Sequence, residues 1–298
     1  MKLSLCIKLT VCFFCVSNIA HAADQNKAPE VKLSDVIKSA KEGLSDAQYL
    51  IGRSVVLGKD IFGEKYTNQT QALKWLDEAI EKKPFWAWDI GSRFILSSPA
   101  KAHIYFQKAI RHGYKRATIS LASLYATPQI SPEGHQLARM FFEAAIAYGE
   151  PYGYVGLGFM HENGLGFLKS IDIAVSLYQR AITQGESDGY LFLAELKEKS
   201  THQIDYNLIA NLYIEAARLG NPAGVFGFVH LYEKHPEKLN LTHKDIIFWS
   251  YAQYFIYPEF KNEIDNSIFD NISPTEIEQI KKEAEALVKS FSAKKQPN

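Results

Sequence analysis

Few residues in this chain are equipped for chemistry, and they are scattered. His161 and Glu162 are adjacent, and a histidine beside a carboxylate could be half of a general acid–base pair or of a metal site. His235 and His243 flank a Pro-containing loop and could meet at a metal, but no third ligand accompanies them. Asn163-Gly164-Leu165-Gly166 is a turn and not a dinucleotide fingerprint, since no strand precedes it. There is no HExxH pattern, no nucleophile elbow and no phosphate loop. The expectation is a protein that is not an enzyme, with no catalytic residue, metal ligand or cofactor. His161 and Glu162 then read first as structural, the histidine packing near a turn.

The N-terminus predicts the compartment. Lys2 and Lys8 form a short positive n-region ahead of an almost unbroken apolar stretch from Leu9 to Val16, and Ala20-His21-Ala22 is a small-x-small cleavage signature. Residues 1–22 are read as a secretory signal peptide cut after Ala22, sending the chain to the periplasm of a Gram-negative-like cell or to the medium. Lipidation is the rival fate, but Cys15 follows Cys12, Phe13 and Phe14 and lacks the small flanking residue such processing wants. Cys6, Cys12 and Cys15 all fall in the leader, so the mature chain is expected to have no disulfide and no thiolate. No later segment reaches the roughly 20 apolar residues of a spanning helix. The chain has 33 basic and 33 acidic residues, and the leader removes two lysines and no acid. Such a balance argues against nucleic acid and against a polybasic membrane contact.

The elements that position these residues are written as a repeat. A ladder of mostly small residues recurs at i, i+4, i+8: Ser39/Gly43/Ala47, Ala79/Lys83/Ala87, Ala109/Gly113/Ala117, Ala145/Gly149/Gly153, Ala181/Gly185/Gly189 and Ala216/Gly220/Gly224. Its last members are 40, 30, 36, 36 and 35 residues apart. The middle glycine predicts a helix C-cap with positive φ. Upstream, positions −7, −3 and 0 form one apolar stripe, as in Ala102/Phe106/Ala109 and Ala174/Tyr178/Ala181. Downstream, a large residue four on (Ile51, Leu121, Leu157, Leu193, Phe228) marks a second helix, often followed by a small one such as Gly52 or Gly158. The unit is helix A, loop, helix B, Gly turn, with length variation confined to loops as a solenoid tolerates. Ser273, Pro274 and Glu276 start a last helix, with Ile272 and Ile277 as its staple and Ile277, Ile280, Ala284, Leu287 and Val288 as its apolar stripe.

The stretch Gly153-x3-Leu157-Gly158-x2-His161-x2-Gly164-x-Gly166, followed by Asp172-x-Ala174-x3-Tyr178-x2-Ala181-x3-Gly185-x3-Gly189, resembles the Sel1-like repeat family. The resemblance covers about residues 36–255 and is closest in the third to fifth repeats and weakest in the second. His161 stands where the family usually has tyrosine, which Tyr125 and Tyr232 retain. It implies an all-α, right-handed α/α solenoid related to tetratricopeptide repeats, of about six helix pairs with a C-terminal capping helix, and an adaptor or scaffold role. A cysteine-rich, cross-linked subgroup reported to bind penicillin has no counterpart here. The expected domains are the signal peptide (1–22), a disordered linker with the first turn of an N-terminal helix (23–35), the solenoid (36–256), a capping region (257–291) and a disordered tail (292–298).

In stacked helix pairs the A helices usually line the concave surface. Counting from the last small residue, positions +2, +6 and +9 lie away from the core stripe. They give Tyr49, Arg53, Asp89, Arg93, Ser123, Phe159, Glu162, Glu195, Glu198, Phe226, His230 and Glu233 as candidate partner-binding residues. Phe85-Trp86-Ala87-Trp88 spans about 300° of a helix, so one of Trp86 and Trp88 is expected to be exposed or under a loop, where it could anchor a partner. The reading is an exported protein–protein interaction scaffold of the envelope, binding partners on the concave face. The alternative is a module that binds peptidoglycan or polysaccharide, or regulates a cell-wall hydrolase.

Overall fold

A computed structural model of the chain describes residues 32–61, 63–127, 131–199, 204–257 and 272–293. The predicted leader, most of the linker after it and the last five residues lie outside them. Among the described residues there are fourteen α-helices, and the only extended pairing is one antiparallel bridge between Ile61 and Glu64. After α1 (Leu33–Lys41) come six pairs, each an A helix followed by a B helix. They are α2 (Ser45–Leu57) with α3 (Gln69–Lys82), α4 (Phe85–Phe94) with α5 (Pro99–Arg111), and α6 (Ala117–Tyr125) with α7 (Pro132–Ala147). Then come α8 (Tyr152–Asn163) with α9 (Ile171–Thr183), α10 (Ser187–Glu198) with α11 (Tyr206–Arg218), and α12 (Pro222–Lys234) with α13 (His243–Ile256). The last helix, α14, runs Pro274–Ala293. This is the all-α repeat fold that the periodicity predicts. The chain divides into two compact units, one ending at Glu150 and one beginning at Pro151.

The ladder has a concrete cause. At each glycine turn the N–H of the residue after the glycine donates to the carbonyl of the first ladder residue, closing a Schellman turn. In the first unit Leu44 donates to Ser39 (3.1 Å), Tyr114 to Ala109 (2.9 Å) and Glu150 to Ala145 (2.9 Å). In the second, Glu186 donates to Ala181 and Asn221 to Ala216, both at 3.0 Å. The five intervening glycines have φ between 80° and 100°, where a side chain is strained. Lys83 breaks the pattern because Pro84 follows it. A residue before proline is pushed out of the helical region, and Lys83 sits at φ −136°, ψ 85°. The B helices begin on polar caps instead: Asn68, Ser131, Ser170, Asp205 and Thr242 each accept a backbone N–H from the first turn.

The stripes at −7, −3 and 0 are the core. Ala72, Leu76 and Ala79 are buried, as are Ala102, Phe106 and Ala109, and Ala138, Phe142 and Ala145 in the first unit. Ala174, Tyr178, Ala181, Ile209, Tyr213 and Ala216 do the same in the second. Small residues on the A helices let these side chains in. A Cβ on Gly52 would lie 2.5 Å from Leu76 Cβ, and one on Gly158 would lie 2.6 Å from the Tyr178 ring. The first unit is closed at its start by α1, whose Leu33, Val36 and Ala40 join Ile51, Ala72 and Trp75. The second is closed by α14: Ile280 packs on Ile247 with Ile272 alongside, Ala284 and Phe291 are buried, and Glu276 pairs with Lys244 at 2.6 Å. Ser273 Oγ accepts the N–H of Glu276, as an N-cap should.

Candidate functional site

The A helices of the first unit bring four of the sequence-selected residues into one cluster. Tyr49 and Arg53 are one turn apart on α2, and Asp89 and Arg93 one turn apart on α4. The Tyr49 hydroxyl donates to Asp89 Oδ2. Arg93 grips the same carboxylate with two bonds, Nε to Oδ2 and Nη2 to Oδ1, both 3.1 Å. Arg53 Nε faces Oδ2 at 3.6 Å, beyond hydrogen-bonding reach, and its guanidinium lies 5.9 Å from the Tyr49 ring centre. Burial, then the Asp89 carboxylate beside it, hold the Tyr49 phenol well above its ordinary value. Beneath, Tyr49 stacks on Trp86 with ring centres 4.6 Å apart and 5° between planes, and Lys83 Nζ lies 4.7 Å from the Trp86 ring. The cluster is therefore a fixed base carrying two cations and one anion.

Neither tryptophan is fully open to solvent, where the expectation was one exposed or under a loop. Trp86 is buried under Tyr49. Trp88 is half-buried, and its indole N–H donates to Ser120 Oγ at 2.7 Å. The helix still cannot turn three large aromatic side chains inward, and the one left outside is Phe85, 43% exposed. Ser123, on α6, is half-buried.

In the second unit the candidates behave differently. Glu162 is buried and accepts the Tyr178 hydroxyl at 2.8 Å, while Lys199 Nζ meets its other oxygen at 2.8 Å. Glu198, half-buried, accepts the Tyr213 hydroxyl at 2.7 Å. These +9 carboxylates thus turn towards the B helix of their own pair instead of a groove, because a phenol in the −3 core position needs an acceptor. Burial, then the paired carboxylate, push both phenols well above their ordinary value, and Glu195 adds to the effect at each. Phe159 meets Phe192 edge-on at 6.2 Å. Phe226 and His230 stack one turn apart and are exposed, as is Glu233. The sequence offered no sign of the tyrosine–glutamate pairs, beyond the recurrence of Tyr at −3 and Glu at +9 in two successive repeats.

The residues weighed for catalysis are drawn apart. His161 stacks on Phe167 in the A–B turn, with ring centres 4.0 Å apart. Burial pushes its imidazole down, against a hydrogen bond to the Leu168 backbone. Glu162 beside it points to Tyr178 and Lys199. His235 packs on Tyr206, and His243 is the exposed first residue of α13. Among the described residues no group of three His, Cys, Asp or Glu could hold a metal ion. None of their helices is long and apolar enough to cross a membrane.

The family model for the Sel1 repeat matches residues 45–84, 90–114 and 151–186. Over those residues the chain is similar to the Sel1 repeat family. The matches fall on the pairs α2–α3, α4–α5 and α8–α9. Of the third to fifth repeats, where the motif resemblance is closest, the fourth alone is matched, and the irregular second is matched as well. Sel1 repeat proteins generally mediate protein–protein interaction. No curated protein matches the sequence. Solved structures that are similar include a Sel1 repeat protein from Oxalobacter formigenes. It is 19% identical, with a TM-score of 0.48 over 75% of this chain and 96% of that one. A protective antigen of uropathogenic Escherichia coli with an SLR fold is 17% identical, with a TM-score of 0.43 over 97% of this chain and 63% of that one. An immunity protein from Pseudomonas aeruginosa is 19% identical, with a TM-score of 0.37 over 70% and 81%.

Proposed function

We propose that this Sel1 repeat protein is an exported, non-enzymatic scaffold of the cell envelope that binds protein partners on the face its A helices present. The observation that carries the reading is the Tyr49–Arg53–Asp89–Arg93 cluster, which joins two successive A helices into one charged, accessible patch on an aromatic base. A patch held rigid before binding loses little side-chain freedom when a partner arrives. Sugar binding would call for open aromatic faces along the same helices. Tyr49 and Trp86 cover one another instead, which favours protein over polysaccharide. Export rests on the leader-like first 22 residues.

A tagged chain expressed in its own host and purified from separated fractions tests both parts. The expected product lies in the envelope or medium, begins at Ala23, and retains specific polypeptides through washing. An intact Met1 terminus in the cytosol would refute export, and a product that retains nothing would refute the scaffold.

A further inference from the structure

The paired arginines have more positive charge and more donors than the structure around them uses. Asp89 is the single carboxylate bonded between them, and Arg93 occupies it with its Nε–Nη2 edge. The third donor to that carboxylate is the Tyr49 hydroxyl, not Arg53. Arg53 Nε is buried without a hydrogen-bond partner, and Arg53 donates no hydrogen bond to any described residue. Both arginine side chains still reach water, 28% and 32% exposed against 19% for Asp89. The local balance is two positive charges to one negative, on rings that fix the position of Arg53 from one side. An unfilled guanidinium next to a second one is the arrangement that takes a carboxylate by charge-assisted, two-pronged hydrogen bonds.

We propose that Arg53 and Arg93 are the anchor for an acidic side chain, Asp or Glu, on an extended segment of a partner polypeptide. This rests on the scaffold reading and names the chemistry of its partner. The incoming carboxylate completes the donors of Arg53 and brings the cluster to charge balance. Asp89 and Tyr49 act as positioning residues that hold the two forks in place.

The test uses the full mature chain and a fluorescein-labelled, N-acetylated peptide of alternating glutamate and alanine, with its glutamine–alanine twin as the neutral probe. Anisotropy is expected to show binding of the glutamate peptide alone. Arg53→Gln and Arg93→Gln each weaken it about tenfold, the size of one charge-assisted contact. Arg111→Gln, which removes an exposed charge from α5 in the same unit, leaves it within about twofold. Circular dichroism confirms that each variant is folded. Equal binding of the two peptides, equal loss in the Arg111 variant, or displacement by inorganic phosphate at matched ionic strength would overturn the anchor. Envelope capture run in parallel separates the two readings. If the wild type retains partners and Arg53→Gln/Arg93→Gln retains the same set, the anchor fails and the scaffold stands. If the wild type retains none, the scaffold reading itself fails.

Discussion

Gly224→Val is expected to destabilise the second unit by about 3 kcal/mol or more, the upper range for overpacking a tight helix contact. A Cβ at Gly224 would stand 2.5 Å from the Tyr213 carbonyl oxygen, 2.6 Å from the Ala217 nitrogen and 3.0 Å from Ala216 Cβ. The first two are backbone atoms of α11, so no rotamer change relieves the clash and α11 and α12 must separate. Separation exposes Tyr213, whose ring is buried against Gly227 where these helices meet. The readout is the urea midpoint of the second unit, followed by a probe confined to it. Ser176→Val, an exposed substitution of the same kind on α9, should cost only about 0.5 kcal/mol. Equal shifts for the two variants would mean that close approach at the ladder does not hold the repeat together.

The second large effect appears at high pH. Tyr178 and Tyr213 are buried, and each phenol is held above the ordinary 10.0 by burial and by its glutamate. The sign follows from proton counting. Below pH 10 both states keep these protons, and the stability they contribute is whole. Above it the unfolded chain releases protons that the folded chain retains, so stability falls as pH rises, by about 1.4 kcal/mol per pH unit for each such tyrosine. Tyr178→Phe/Tyr213→Phe should flatten that slope by the share of two tyrosines, while costing about 1 kcal/mol each near neutrality for the lost hydrogen bonds. Stability measured by denaturant between pH 8 and pH 11 checks it. An unchanged slope in the double variant would show that the phenols ionise freely in the fold.

The parts of this fold that were legible are those set by local rules. A 3.6-residue stripe of Ala, Phe, Tyr and Leu fixes the buried face of each B helix, and every −7, −3 and 0 residue of pairs one to five is buried. A glycine that must take positive φ announces its turn in any context, as Gly113 and Gly185 do. The candidate site was legible only in part, because it depends on which neighbour each side chain meets. Tyr49, Arg53, Asp89 and Arg93 do come together across α2 and α4. Glu162 occupies a matching register position, yet a phenol 16 residues further on draws it inward. Periodicity gives the direction of a side chain and not the chemistry waiting there. Trp86 fails in the same way, since its cover is a tyrosine 37 residues earlier.

Docking of partners on the A-helix face is the proposal on which the scaffold reading turns. Photo-crosslinking from single positions of the first unit tests this most directly. Leu96, in the turn that follows α4 and three residues after Arg93, is 73% exposed, so a photoreactive residue there leaves the arginine pair intact. Met140 is 58% exposed on α7, a B helix, and serves as the comparison. Irradiation in the envelope fraction should join a discrete polypeptide to position 96, abolished by Arg53→Gln/Arg93→Gln, and nothing specific to position 140. A discrete adduct at position 140 with none at position 96 would contradict the account and move the binding surface to the B helices.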